Sequence, residues 1–402
     1  MAYLYHNKGV YRCNGKLFFN KLEAILEANQ YGSWIEWDYH DAVFGQHDWT
    51  LEPPVSLLDL YKERAIQLRE SYDHLVLFYS GGADSWNILK TFIDNNIRLD
   101  EIYMFGAFQA EEKKSSELGS SREPGYYTRE IQQSLPLVKK LAADRKIKVN
   151  VYDWTTHILE AANDPDWIWT AGVRFDPTCM VRSKFHKIFR EHNELLHRGK
   201  KVGFVYGVDK PRLLRDDSKI YFTFLDVIMT TGTLPTNDIL GEYWENDEYF
   251  YWSPNLPELA IKQSHVVVNW LRSQHKIHLI KHMSDIGSFH DESYYQEVNR
   301  SIYPHWNSDT WQIKKPTGAI YNELSKWFLD GHFEAKLKWE SSLWELERVC
   351  GQKWFNKNTV AEGLKGHLSP LYNIADYTLN TVSGHKPECS GAIDHKIASC
   401  TN

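Results

Sequence analysis

The chain has 402 residues, of which 42% are hydrophobic, 25% charged and 14% aromatic, enough for two or three domains with a substantial core and too much for a peptide or a disordered tail. Its formal charge of −7 excludes a basic field over the whole molecule of the kind that drives non-specific nucleic-acid binding, although a local basic groove stays open. The scattered cysteines Cys13, Cys179, Cys350, Cys389 and Cys400 never form Cys-x-x-Cys, which argues against a disulfide framework and a tetrahedral zinc site. The start Met1-Ala2-Tyr3-Leu4-Tyr5-His6 lacks the pattern of a secretory leader and no apolar run reaches membrane-spanning length, so the expected compartment is the reducing cytoplasm.

Residues 1–70 read as a small α+β module. Tyr3–Tyr5, Gly9–Arg12 and Lys16–Phe19 suggest short strands, with turns at Asn7-Lys8 and Asn14-Gly15. Asn20 is placed to cap a helix over Lys21–Asn29, whose Leu22, Ile25 and Leu26 share one face. A second helix, about Leu57 to Ser71, follows Pro53-Pro54.

The run Leu75–Tyr79 is a hydrophobic strand that stops at Ser80-Gly81-Gly82-Ala83-Asp84-Ser85 and restarts as a helix near Trp86. Two adjacent glycines let a ligand approach the main chain, and the N–H groups of a first helical turn favour negative charge. Ser80 and Ser85 add hydroxyl donors, while Asp84 has a place there if it orients the loop or meets a cation. A phosphate chain with Mg²⁺ satisfies all these demands.

Strand and helix then alternate. A strand over Glu101–Phe105 ends at Gly106, Glu111 to Pro124 reads as an exposed loop, and a helix from about Thr128 to Asp144 precedes the strand Lys148–Tyr152. A helix around Ser183 to His197 precedes Lys201–Tyr206, which ends at Gly207. Such alternation predicts an α/β, Rossmann-like fold over 71–230, a parallel sheet covered by helices with its ligand at the carboxyl ends of the strands. Beyond 230 a mainly helical, aromatic-rich region is expected, with Pro257–Arg272, Leu324–Phe328 and Leu337–Val349 as helices and a tail from Ser383. The aromatic share is read as packing, and His265, His275 and His278 as core or surface residues rather than metal ligands.

Ser80–Ser85 resembles the SGGxDS loop of the PP-loop ATP pyrophosphatases, the adenine nucleotide α-hydrolase superfamily. The resemblance implies ATP as cofactor, adenylation of an acceptor oxygen with release of pyrophosphate, and displacement of AMP by a nitrogen or sulfur nucleophile. It gives Ser80, Gly81, Gly82, Ala83, Asp84 and Ser85 to the nucleotide phosphates, and it sets the adenine against backbone near Phe105, Gly106 and Ala107. In outline the chain is similar to the asparagine-synthetase branch. A self-contained glutaminase of that branch would expose Cys at position 2, where this chain has Ala2, so nitrogen would come from free ammonia, a substrate amine or a separate partner.

The second cluster is Tyr206-Gly207-Val208-Asp209-Lys210-Pro211-Arg212. At a strand end, Lys210 and Arg212 can balance phosphate charge and Asp209 can join Asp84 in holding Mg²⁺. Arg174, Arg182 and Lys184 flank Asp176–Met180 ahead of a helix and suit a carboxylate or phosphate; Arg182 joins Asp84 and Lys210 as the catalytic set. Two rivals remain. One is sulfur transfer through Cys179 or Cys389, since Glu388-Cys389 is similar to the Glu-Cys-Gly tail of phosphoadenylylsulfate reductases, although Ser390 stands where that tail has glycine. The other is a non-enzymatic nucleotide sensor or interaction module. The acceptor, whether a metabolite or a nucleic-acid base, is left open, and no membrane partner is expected.

Overall fold

A computed structural model describes residues 9–106, 108, 109, 112, 126–153, 155–157, 168, 194–226, 247–285, 292–306, 329–357 and 363–377. The strand expected over Tyr3–Tyr5, the helix over Leu324–Phe328, the tail from Ser383 and most of the loop 111–124 lie outside these residues, as do 183–193 of the helix expected there.

The leading module forms as its turn and cap residues dictate. β1 (Val10–Cys13) and β2 (Lys16–Phe18) are antiparallel. Asn14 and Gly15 join them, both with positive φ, the conformation a two-residue hairpin turn asks for. Asn20 then accepts from the backbone N–H of Leu22 and Glu23 and starts α1 (Lys21–Tyr31). β3 (Glu36–Asp38) pairs with the other edge of β1. The short α2 (Asp41–Phe44) and then α3 (Leu57–Ser71) lead to the central sheet.

That sheet is built from β4 (His74–Phe78), β5 (Glu101–Gly106), β6 (Lys148–Asp153), β7 (Val202–Tyr206) and β10 (Asp247–Tyr249), all parallel, in the order β10-β7-β4-β5-β6. Leu75, Val76 and Leu77 are fully buried, as are Val202, Phe204 and Val205, the continuous apolar pattern of strands covered on both faces. α4 (Ala83–Asp94) links β4 to β5, and α5 (Tyr126–Arg145) links β5 to β6 and packs on both. The fold is α/β and Rossmann-like. Its strand order reverses between β4 and β7, and open sheets of this kind bind ligands in the crevice at that reversal.

Two features depart from the sequence expectation. α4 begins at Ala83 rather than near Trp86, because Gly82 is already its cap; Ala83, Asp84 and Ser85 therefore make up the first helical turn. The described part of the segment beyond 230 has more helix than strand, but it is not confined to helices beside the sheet. It supplies β10 as the fifth parallel strand and contributes to a second sheet, β11-β8-β9-β14. In that sheet β8 (Leu213–Arg215) and β9 (Lys219–Phe222) form a hairpin, flanked by β11 (Lys281–His282) and β14 (Tyr372–Asp376). α6 (Glu194–His197), α7 (Pro257–Ser273), α8 (Glu292–Ile302), α9 (Phe333–Cys350) and the ribbon of β12 (Phe355–Asn356) with β13 (Gly363–Leu364) complete the described α-helices and strands.

One apolar cluster runs through residues of all three expected regions. Its aromatic part holds Tyr39, Phe44, Trp49, Phe222, Phe224, Trp252 and Tyr372, with Phe44–Phe224 and Trp49–Tyr372 centroids 4.5 Å apart. The aromatic richness of the sequence is thus spent here on packing. Two buried ion pairs tie distant segments. Arg64 on α3 meets Glu248 on β10 at 2.6 Å, where Tyr72 also donates to Glu248. Lys21 on α1 meets Asp226 at 2.6 Å, and Asp226 further accepts from Tyr11 Oη and the His367 N–H, both at 2.9 Å.

His265 is buried and bonds the Trp49 carbonyl, and burial lowers its pKa, as suits a neutral core histidine. Cys13 and Cys350 are buried free thiols. Among the described residues no group of three His, Cys, Asp or Glu could hold a metal ion, and no helix is long and apolar enough to cross a membrane.

Candidate functional site

β4 and β7 lie side by side with Phe78 opposite Tyr206, so the loops that leave their carboxyl ends meet at the reversal of strand order. The loop after β4 turns at Gly81, whose φ of 85° excludes most side chains. Gly82 caps α4 with no side chain to satisfy the helix. A helix leaves its first N–H groups unpaired, and here the N–H groups of Gly81, Ala83, Asp84 and Ser85 make no hydrogen bond among the described residues. Ser80 Oγ lies 3.3 Å from Ser85 Oγ and 3.4 Å from the Gly82 N–H, and Ser85 Oγ also donates to the Gly82 carbonyl. The result is a buried row of donors with few internal acceptors.

The loop after β7 presses on this turn. A Cβ at Gly207 would lie 3.0 Å from Asp84 Cβ and 3.1 Å from the Ser85 nitrogen. Only glycine lets the two loops come so close. Gly207→Ala is therefore expected to force the first turn of α4 aside and cost about 1–3 kcal/mol, the usual range for overpacking. The check is the denaturation midpoint; an unchanged midpoint would mean that the loops separate freely.

Beyond Gly207 the chain brings its charges to the same rim. Lys210 Nζ sits 2.5 Å from Asp84 Oδ2. Asp209 is held by its neighbours: Oδ2 accepts from Arg212 Nη2 at 2.6 Å and from Nε at 3.0 Å, and Oδ1 accepts from the Lys210 N–H at 2.7 Å. Burial pushes the Asp209 carboxyl up, but Arg212 and Lys210 outweigh it and hold the pKa below the ordinary value. Arg212 is raised in turn, since Asp209 overcomes the cost of burying the guanidinium.

The donors on Asp84 include a residue that sequence reading missed. Tyr303, just past α8, donates to Asp84 Oδ1 at 2.5 Å, and Tyr251 donates to the Asp84 backbone carbonyl at 2.8 Å. Burial first, then the Asp84 charge, raises the Tyr303 pKa well above the ordinary phenol value, so it stays a proton donor. Nothing local in Ser301-Ile302-Tyr303-Pro304-His305 marks this role, because the partner lies 219 residues away in the chain.

The sequence-expected residues Ser80, Gly81, Gly82, Ala83, Asp84, Ser85, Asp209 and Lys210 thus meet in one crevice. Gly106 is buried at the end of β5, where a Cβ would touch the Phe108 ring at 2.8 Å; Phe105 is described only as backbone in that strand. Arg174, Cys179, Arg182, Lys184, Cys389 and Ala107 lie outside the described residues. No family model matches this chain, and no curated protein matches it either.

The donor set suits an oligophosphate: unpaired N–H groups at a helix start, two hydroxyls, and a lysine whose present partner is a carboxylate. For a divalent cation the fit is narrower. All four carboxylate oxygens of Asp84 and Asp209 except Asp84 Oδ2 are engaged by donors fixed in the fold or by an adjacent guanidinium or N–H. Asp84 Oδ2 alone has a long, exchangeable partner. Mg²⁺ binds through one or two carboxylates together with substrate phosphates, and Asp84 meets that requirement.

Proposed function

We propose that the protein is an ATP-dependent adenylating ligase or transferase of the PP-loop, adenine nucleotide α-hydrolase type. The observation that carries this reading is the row of N–H groups of Gly81, Ala83, Asp84 and Ser85, without partners among the described residues, at the reversal point of a parallel sheet. Such a row binds oligophosphate through its backbone and leaves side chains free for chemistry. The Ser80–Ser85 sequence, with its acid between the glycines and the second serine, favours ATP.

In the proposed reaction an acceptor oxygen, of a carboxylate or similar group, attacks the α-phosphorus. The bond from that phosphorus to the bridging oxygen breaks and pyrophosphate leaves. A nitrogen nucleophile then attacks the activated centre, and AMP departs with the acceptor oxygen. The backbone of Gly81–Ser85 and the hydroxyls of Ser80 and Ser85 would hold the pyrophosphate portion, and Lys210 would offset the charge that builds up on it. Arg182 is assigned to the same charge, and the backbone near Phe105 and Gly106 to the adenine. Mg²⁺ carried in with the nucleotide would be held by Asp84 and would supply neutralisation of phosphate charge; Asp209, committed to Arg212, would chiefly fix the Lys210 loop and reach the ion only if that pair opens.

The test is incubation of the purified chain with Mg²⁺-ATP and a metabolite extract, with nucleotides separated by anion exchange, beside Asp84→Asn. AMP and pyrophosphate formed by the parent alone are expected. ADP and phosphate, or equal turnover by Asp84→Asn, would overturn the reading.

A further inference from the structure

We infer that Tyr303 is a positioning residue that fixes the carboxylate of Asp84, so that Lys210 can leave it for an incoming phosphate and a divalent cation can take the oxygen that Lys210 vacates. This inference rests on the phosphate reading above and assigns the coupling of anion and cation at that site to one phenol.

The two donors on the Asp84 carboxylate differ in how firmly they are held. Tyr303 is 1% exposed, with its ring 5.6 Å from that of Tyr251. Tyr251 Oη, which donates to the Asp84 carbonyl, receives Asn87 Nδ2 at 3.2 Å. The carbonyl of Ile302, next to Tyr303, accepts from Tyr61 at 2.8 Å, and Tyr61 itself receives Gln263. The carbonyl of His305 accepts from Trp86 Nε1 at 3.0 Å. The chain on both sides of Tyr303 is therefore fastened to α3 and α4, and the phenol cannot leave Asp84 without disturbing several buried bonds.

Lys210 is held differently. It stands on a loop, keeps 12% of its side chain exposed, and reaches Asp84 with the end of a flexible four-carbon stem. A phosphate in the donor row would compete with Asp84 for the ammonium. Once Lys210 turns to that phosphate, Asp84 keeps Tyr303 on Oδ1, a neutral donor that leaves its negative charge intact, and its Oδ2 is bare. The carboxylate is then aimed and unpaired beside the phosphate, which is what a cation bridging the two requires. Without the phenol the carboxylate can turn away, so the cation gains less from the phosphate. The anion's own binding, made by N–H groups and Lys210, does not change.

Titration calorimetry with inorganic pyrophosphate, with and without Mg²⁺, separates these cases. In the parent, Mg²⁺ is expected to tighten pyrophosphate binding about tenfold or more. Tyr303→Phe keeps the buried ring; it should lose most of that Mg²⁺-dependent gain while metal-free affinity stays at the parent value. Tyr251→Phe removes a hydroxyl from the same helical turn but not from the carboxylate, and should keep the gain. An unchanged gain in Tyr303→Phe, or equal loss with and without Mg²⁺ in both variants, would overturn the inference alone. No pyrophosphate binding by the parent in either condition would overturn the phosphate reading and the inference with it.

Discussion

Replacing Asp226 by alanine is expected to cost about 3–5 kcal/mol, the range for breaking a buried ion pair by removing one partner. The variant leaves the Lys21 ammonium with the Lys365 carbonyl and no counter-charge, in a place where its side chain is only 2% exposed. It also strands the Tyr11 hydroxyl and the His367 N–H, both of which now donate to Asp226. Out of a total stability of about 5–15 kcal/mol, that loss is large. Chemical denaturation reads it directly. Adding Lys21→Met should recover much of the loss, because the uncompensated charge is then gone; no recovery would show that the pair matters for shape rather than charge.

The same carboxylate fixes an acid response. Burial pushes its pKa up, but Lys21 and His367 act against that and hold it down to about 2, below the unfolded value of about 3.9. A depressed folded pKa gives stability that is present above the unfolded value and is lost as pH falls. The denaturation midpoint should therefore drop between about pH 4 and about pH 2, and Asp226→Ala should lack that component.

Lys210→Met is expected to slow the AMP-forming reaction by about 10²–10³-fold, the usual loss when one preorganised stabiliser of developing charge is removed. Lys210 is already at the crevice, with its Nζ on Asp84 and 6.0 Å from the Tyr303 ring centroid, so little reorganisation separates it from a bound phosphate. The rate is read by chromatography of AMP and pyrophosphate with the acceptor fraction of the extract. A rate equal to the parent's would remove Lys210 from the chemistry and leave it as the counter-ion of Asp84.

What could be read from the chain followed the range of the signals. α3 begins after Pro53-Pro54 and runs over Leu57–Ser71 as expected, because apolar spacing and a turn at its start are local. The turn at Ser80–Ser85 and the strand-end cluster at Gly207–Arg212 were legible as structure for the same reason: each joins a strand to a sharp change of direction. The β8–β9 hairpin has a cue in its turn residues Asp216-Asp217-Ser218 but no Gly or Asn to mark it. Asp216 accepts from the N–H groups of Ser218 and Lys219 and folds the turn between Leu213–Arg215 and Lys219–Phe222. β10 was beyond local reading, since Asp247-Glu248-Tyr249 has the polar look of a loop and is a strand because Glu248 has Arg64 to bury against and β7 offers an open edge. Tyr303 belongs with β10, as a residue whose role is set only by a distant carboxylate.

The late arrival of β10 bears on how the chain is made and how it can be shortened. Until residue 249 is synthesised, β7 presents an unpaired parallel edge, and Arg64 has no carboxylate to enter the core with. Open edges recruit foreign strands, and pairing across so many residues is slow to form. A fragment cut at 230 would keep every residue of the Ser80–Ser85 turn and still be prone to aggregate, without Tyr251 and Tyr303 to hold Asp84. Any shortened form meant for ligand studies has to run through at least residue 303.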